Sequence, residues 1–177
     1  NERVFILGIN PGRFGGGVTG IPFTDPIRLE KECGITNPFA KKPEVSSEFI
    51  YTMINAYGGP EKFYGKYFIN SLFPLALTHK GKNINYYDTK ELLEITRQPI
   101  IENIRTQIAF GLRTDKAICL GEGKNYQYLV KLNTEYKFFG EIHPLPHPRF
   151  IMQYKRKFLK EYIGRYLETF KKVEFTV

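Results

Sequence analysis

A glycine-rich stretch directly behind a short apolar run constrains this chain more than any other feature. Residues 8–23 read GINPGRFGGGVTGIPF, hold six of the 16 glycines and show no helical period. They follow Val4-Phe5-Ile6-Leu7, a run that predicts a buried strand. Glycine loses more backbone freedom on folding than any other residue, so a cluster of glycines at a strand end argues that a ligand or another backbone comes close. A turn with no ligand is the competing reading, and the rest of the chain has to separate the two.

Downstream the pattern alternates. Asp25-Pro26 predicts a helix start, the carboxylate as N-cap and proline at the first position, running to about Cys33. A polar loop over 35–45 leads to Ser46 or Ser47 as the cap of a helix to about Tyr57, which Gly58-Gly59-Pro60 ends. Residues 66–70 (KYFIN) read as a second strand, SLFPLAL as the loop leaving it, and 80–87 as a polar turn. Asp88 with Glu91 resembles a capping box for a long helix that Pro99 kinks or restarts, with Ile100, Ile104 and Ile108 as its core stripe. A strand over 116–120, a helix over about 125–132, a strand over 137–142 and a final helix over about 150–172 complete the chain. That last helix repeats Tyr154, Phe158, Tyr162, Tyr166 and Phe170 every four residues, which predicts a core stripe. The order predicts an α/β fold, a three-layer α/β/α sandwich around a four-stranded parallel sheet in a single domain. Ligands in such folds sit beyond the carboxyl ends of the strands. The candidates there are residues 8–12, Asn70 and Ser71, Gly121, and His143.

At 177 residues and 42% hydrophobic, the chain can bury roughly 70% of the surface its unfolded form exposes, without disulfides or metals. Its two cysteines, Cys33 and Cys119, are too few for a four-cysteine iron–sulfur cluster and suit a reducing compartment. No apolar run reaches the ~18 residues of a membrane span, so no membrane partner is expected. No signal peptide is visible, and a start at Asn1, just before a strand, implies that the true N-terminus is missing. The net charge is +8, and residues 143–172 hold eight lysines and arginines against two acids. That asymmetry points to a polyanionic partner, while the cysteine usage and the lack of a visible span or signal peptide make a cytoplasmic, bacterial-type nucleoid or nuclear location the expectation.

The glycine stretch has neither the GxGxxG spacing of a dinucleotide site nor the lysine of a P-loop. His143 and His147 have the i,i+4 spacing of helical zinc ligands, but Pro144, Pro146 and Pro148 exclude a helix there, and no metal is expected. Ser46, Ser47 and Ser71 sit in no nucleophile elbow. Two groups remain. Asn10, on a Pro-Gly turn after the first strand, can hold a water through its amide oxygen. His143, on a stiff proline-rich loop, can donate to developing negative charge.

Three ordered blocks, GINPGRFGGGVTGIPF, FINSLFPLAL and HPLPHPR, resemble the uracil-DNA glycosylase superfamily, most of all its single-strand-selective monofunctional branch, over nearly the whole chain. The resemblance implies an enzyme that acts on uracil, and on other deaminated or 5-modified bases, flipping the base out of DNA and hydrolysing its N-glycosidic bond during base-excision repair. It implies no cofactor, DNA as partner, and a monomer. By the same resemblance Asn10 positions the hydrolytic water and His143 stabilises the departing base at O2. Gly8, Ile9, Gly12, Phe14 and Phe23 line the base pocket, Gly12 leaving room at the C5 edge and Phe23 stacking on the ring.

In the second block the family's base-reading asparagine stands three residues before the proline; here Ser71 does, while Asn70 stands four before Pro74. Either can face the base, and the pairing capacity of an amide favours Asn70. In the third block Leu145 and His147 stand where the family places serine and arginine, and the arginine appears as Arg149. Pro146, His147, Arg149, Lys155, Arg156 and Lys157 are the expected DNA contacts. A catalytically weakened DNA-binding module of the same fold is the alternative that these departures leave, and a nucleotide-handling enzyme unrelated to DNA rests on fold analogy alone.

Overall fold

The computed structural model describes residues 2–174. In chain order it contains β1 (Val4–Gly8), α1 (Gly16–Thr19), α2 (Pro26–Lys31), α3 (Val45–Tyr57), α4 (Pro60–Lys66), β2 (Tyr67–Ser71), β3 (Leu77–His79), β4 (Lys82–Ile84), α5 (Lys90–Ala109), β5 (Lys116–Leu120), α6 (Lys124–Tyr136), β6 (Glu141–Leu145), α7 (Pro148–Tyr154) and α8 (Leu159–Glu174), with a 3₁₀ turn over Arg156–Phe158. The main sheet is parallel throughout, in the order β2-β1-β5-β6.

Alternation along the central strands builds two cores. Val4 and Ile6 of β1, with Tyr67, Ile69, Ile118, Leu120 and Leu145, face one layer of Phe49, Met53, Ile151, Tyr166 and Phe170. Phe5 and Leu7, with Ala117 and Cys119, face the other, where Ile100, Ile104, Leu129 and Leu132 pack. Both faces of the central strands β1 and β5 are therefore apolar, as a parallel sheet under two helical layers requires. The three-layer sandwich and the four-stranded sheet are as expected. No helix among the described residues is long and apolar enough to cross a membrane.

Several local expectations move. The fourth strand lies at 141–145 rather than 137–142, because β6 is an edge strand and tolerates Pro144, which pairs with Cys119. The cap of α3 is Glu44, and Ser46 and Ser47 are buried within its first turn. Thr89, not Asp88, caps α5 by accepting from the Leu92 N–H, and that helix runs unbroken through Pro99. The loop expected after β2 holds a hairpin whose turn residues Lys80 and Gly81 both have positive φ, 47° and 73°, as a tight two-residue hairpin needs. The final helix is two helices, and Tyr154 and Phe158 leave the core stripe: they are 70% and 38% exposed.

Candidate active site

The loops beyond β1, β2 and β6 converge on a cleft lined by Asn10, Pro11, Gly12, Phe23, Glu44, Ser46, Ser71, His147 and Arg149. Its volume is about 10 Å³, the room of about one water. It shares Asn10, Pro11, His147 and Arg149 with an adjoining groove of about 180 Å³, walled also by Asn83, Asn85, Phe150 and Tyr154. A larger cavity of about 950 Å³ opens at the amino ends of β1, β2 and β5 and shares none of these residues. The carboxyl ends of the strands are where a parallel α/β sheet binds ligands, so the cleft is the candidate.

Asn10 is held at both ends of its amide. Its Nδ2 donates to the Ile84 carbonyl and its Oδ1 accepts from the Tyr86 N–H, each at 3.1 Å. Tyr86 is fully buried, and its hydroxyl donates to Asn125 Oδ1 at 2.7 Å. Asn125 Nδ2 in turn donates to the carbonyls of Leu120 and Gly8 at 3.0 and 3.3 Å. A buried relay thus ties Asn10 to the ends of β1 and β5. The amide oxygen keeps one lone pair for a further donor.

The histidine beside Asn10 is His147, not His143. His143 lies on β6, paired with Ile118, and its Nε2 is 3.2 Å from Glu141 Oε2. Four residues of extended chain put it roughly 13 Å back along the strand from His147. His147 stands at the N-cap of α7 between Pro146 and Pro148, and its extended backbone (φ −66°, ψ 137°) is the conformation that a following proline favours. The Tyr166 hydroxyl donates to the Pro146 carbonyl at 2.5 Å, anchoring the turn to α8. His147 Nδ1 accepts from the Arg149 N–H at 3.2 Å, which makes Nε2 the protonated nitrogen of the neutral ring. Burial pushes its pKa down to about 3, and the Arg149 charge adds to the effect.

Phe23 closes the cleft from the glycine loop. Its φ is +54°, a left-handed conformation that costs an aromatic residue on the order of 1–3 kcal/mol. The ring centroid lies 5.8 Å from that of His147. A Cβ at Gly8 would come within 2.7 Å of the Phe23 ring, so the first glycine of the stretch is clearance for this side chain. Asp25, fully buried, locks the loop to α3. Its carboxylate caps α2 by accepting from the Arg28 N–H, pairs with the Arg28 guanidinium at 2.8 Å, and accepts from the Glu44 N–H at 2.9 Å.

Ser71, not Asn70, faces the cleft. The two alternate on β2, and Asn70 Oδ1 turns back to accept from the Ser71 N–H. Gly12 lines the cleft, but the space beside it, expected to be open, is filled by the Glu44 carboxyl. Burial holds that carboxyl above the usual range, the Arg149 charge opposes the shift, and the Asp25 charge supports it. Ile9 lines the groove. Phe14 lines neither space, and its ring centroid lies 4.3 Å from the Arg13 guanidinium and 5.0 Å from the Lys42 ammonium.

Of the residues expected on DNA, Pro146 is buried with its carbonyl engaged, whereas His147 and Arg149 belong to the cleft itself. Lys155, Arg156 and Lys157 lie at the α7–α8 junction, where Arg156 pairs with Glu48 at 2.5 Å. Sequence reasoning misses Glu44, Ser46, Tyr86 and Asn125 as site residues. The first two read only as loop and cap, and the others owe their place to tertiary contacts.

A family model described as the Uracil DNA glycosylase superfamily matches residues 1–171. The single-strand selective monofunctional uracil DNA glycosylases of Bos taurus and Mus musculus are similar to this chain, 26% and 25% identical over 173 residues. Each match covers 82% of this chain, which spans 61% and 60% of the relatives' length. Among solved structures, wild-type SMUG2 of Pedobacter heparinus is similar over 98% of this chain and 76% of that chain, with a TM-score of 0.93 and 51% identity.

Proposed function

Because the chain belongs to the uracil DNA glycosylase superfamily, we propose that it is a monofunctional DNA glycosylase hydrolysing the N-glycosidic bond of uracil. The observation that carries this reading is the convergence of Asn10, Phe23, Ser71 and His147 on one cleft at the carboxyl ends of the strands. The cleft has room for one water, so a base flipped from the stack enters only as its lining side chains give way. The base stacks on Phe23, and the free lone pair of Asn10 Oδ1 holds a water against C1′. As the bond between C1′ and N1 breaks, its electron pair leaves with the base, and negative charge spreads onto O2. The Nε2–H of neutral His147 donates to that oxygen. A preorganised donor of this kind accelerates the step by ~10²–10³. Water then bonds to C1′ through its oxygen, and the proton it loses passes to the departed uracil anion, which leaves as neutral uracil.

No lysine lines the cleft or the groove among the described residues, and the mechanism uses no Schiff base. The basic α7–α8 junction supports DNA as the partner, with the protein acting as a monomer wherever DNA lies. The test is incubation with uracil-containing single- and double-stranded oligonucleotides followed by alkali. Alkali-dependent cleavage at the uracil is expected, and an uncleaved product in both substrates rejects the proposal.

A further inference from the structure

Among the described residues the Glu44 carboxyl is the one acidic group on the wall of the cleft, and nothing in the mechanism above uses it. Its side chain lies against Gly12 and Gly15, where a Cβ at either position would overlap the carboxyl. Two glycines of the first block therefore make the berth for this side chain. Its Oε2 is buried without a hydrogen-bond partner, and so is Ser46 Oγ on the same wall. Buried polar atoms left unpaired are costly, and they are kept where a ligand completes them.

The chemistry of that ligand follows from the groups present. Uracil presents an N3–H donor beside the O4 acceptor, so its reader must offer an acceptor beside a donor, as an amide does. The amide on this wall, Asn10, is already held by the Ile84 carbonyl and the Tyr86 N–H, Asn70 turns back to the Ser71 N–H, and Ser71 brings only a hydroxyl. A neutral carboxylic acid carries C=O and O–H side by side and matches the same edge. An ionised carboxylate is acceptor-only and would oppose O4.

We propose that Glu44, as a neutral carboxylic acid, reads the N3–H and O4 edge of the flipped uracil and so determines base choice. The inference rests on the glycosylase reading above. The charged and titratable groups around Glu44 are Asp25 at the cap of α2, paired with Arg28, His147 at the cap of α7 and Arg149 within it; on α3, which Glu44 caps, Glu48 pairs with Arg156. Burial favours the neutral form and Asp25 supports it, against Arg149. The neutral form is complete below the raised carboxyl pKa and is lost as pH rises through it.

The test is single-turnover release of uracil by the wild type, Glu44→Gln and Glu44→Ala from pH 5 to 9, with thermal melts to establish that each variant folds. Glu44→Gln keeps the donor–acceptor pair at every pH, so it should stay within about tenfold of the wild type at low pH and lack the wild type's decline at high pH. Glu44→Ala should lose about 10- to 100-fold, the worth of one bidentate base contact. Wild-type rates and an unchanged pH profile in both variants would overturn the inference and leave the glycosylase reading standing. A Gln variant as slow as the Ala variant would also overturn it, by assigning the proton a role other than recognition. Absence of uracil release by the wild type removes both.

Discussion

Gly8→Ala is the sharpest single perturbation of the glycine stretch, because its effect can be worked out from distances. Gly8 has no positive φ, so its backbone accepts alanine and only the added methyl matters. That methyl would sit 2.7 and 2.8 Å from Cζ and Cε2 of Phe23 and 3.4 Å from Ser71 Oγ. Carbon atoms in contact prefer roughly 3.5–4.0 Å, so the Phe23 ring must retreat by about 0.8 Å or more. Its backbone is strained and its ring abuts His147, which leaves little free play. Overpacking of this kind costs about 1–3 kcal/mol, or roughly 3–9 °C in Tm for a domain of this size. A displacement near 1 Å of a base-stacking group can also cost about 10²-fold in single-turnover rate. A double-mutant cycle with Phe23→Ala isolates the clash, since alanine at 23 removes the ring and the methyl at Gly8 should then be nearly neutral. Equal Tm losses for Gly8→Ala in the two backgrounds would refute the steric argument.

Other consequences can be checked with the same protein. Asp25→Ala removes the acceptor of the Arg28 and Glu44 N–H groups and the partner of the Arg28 guanidinium, and urea titration should show a loss of about 3–5 kcal/mol. His147 is neutral in the fold down to about pH 3, whereas its unfolded form takes up a proton near the ordinary 6.5. The unfolded state then binds more protons across that window, so stability should fall on acidification by at most about 1.4 kcal/mol per pH unit. His147→Asn should lose less stability than the wild type between pH 6.5 and 4, and parallel curves would contradict the assignment. Replacing Lys155 and Lys157 by alanine should reduce the salt dependence of DNA binding by about 0.7–0.9 in log–log slope for each phosphate that is no longer neutralised. An unchanged slope would remove the α7–α8 junction from the interface.

What can be read from the chain is what local chemistry decides. The apolar run of β1, the Asp25-Pro26 start of α2 and the strand at 116–120 depend on nearby residues, and all three stand where expected. The histidine moves because Pro144, which would end an interior strand, joins β6 at the edge of the sheet. The strand's end moves from 142 to 145, and the histidine in the cleft is His147 rather than His143. The choice between Asn70 and Ser71 turns on strand parity, which a boundary error of one residue inverts. Glu44 cannot be found from its neighbours in sequence: its berth is made by Gly12 and Gly15, about thirty residues earlier. The Asn125–Tyr86–Asn10 relay likewise joins three segments that share no motif.

The proposed release of uracil from DNA rests on water, Asn10 and a neutral His147. Single-turnover release of free uracil from a single-stranded oligonucleotide, compared among the wild type, His147→Ala and His143→Ala, tests it most directly. A loss of about 10²–10³ is expected for His147→Ala and a rate close to wild type for His143→Ala. The opposite order, or two equally active variants, would contradict it.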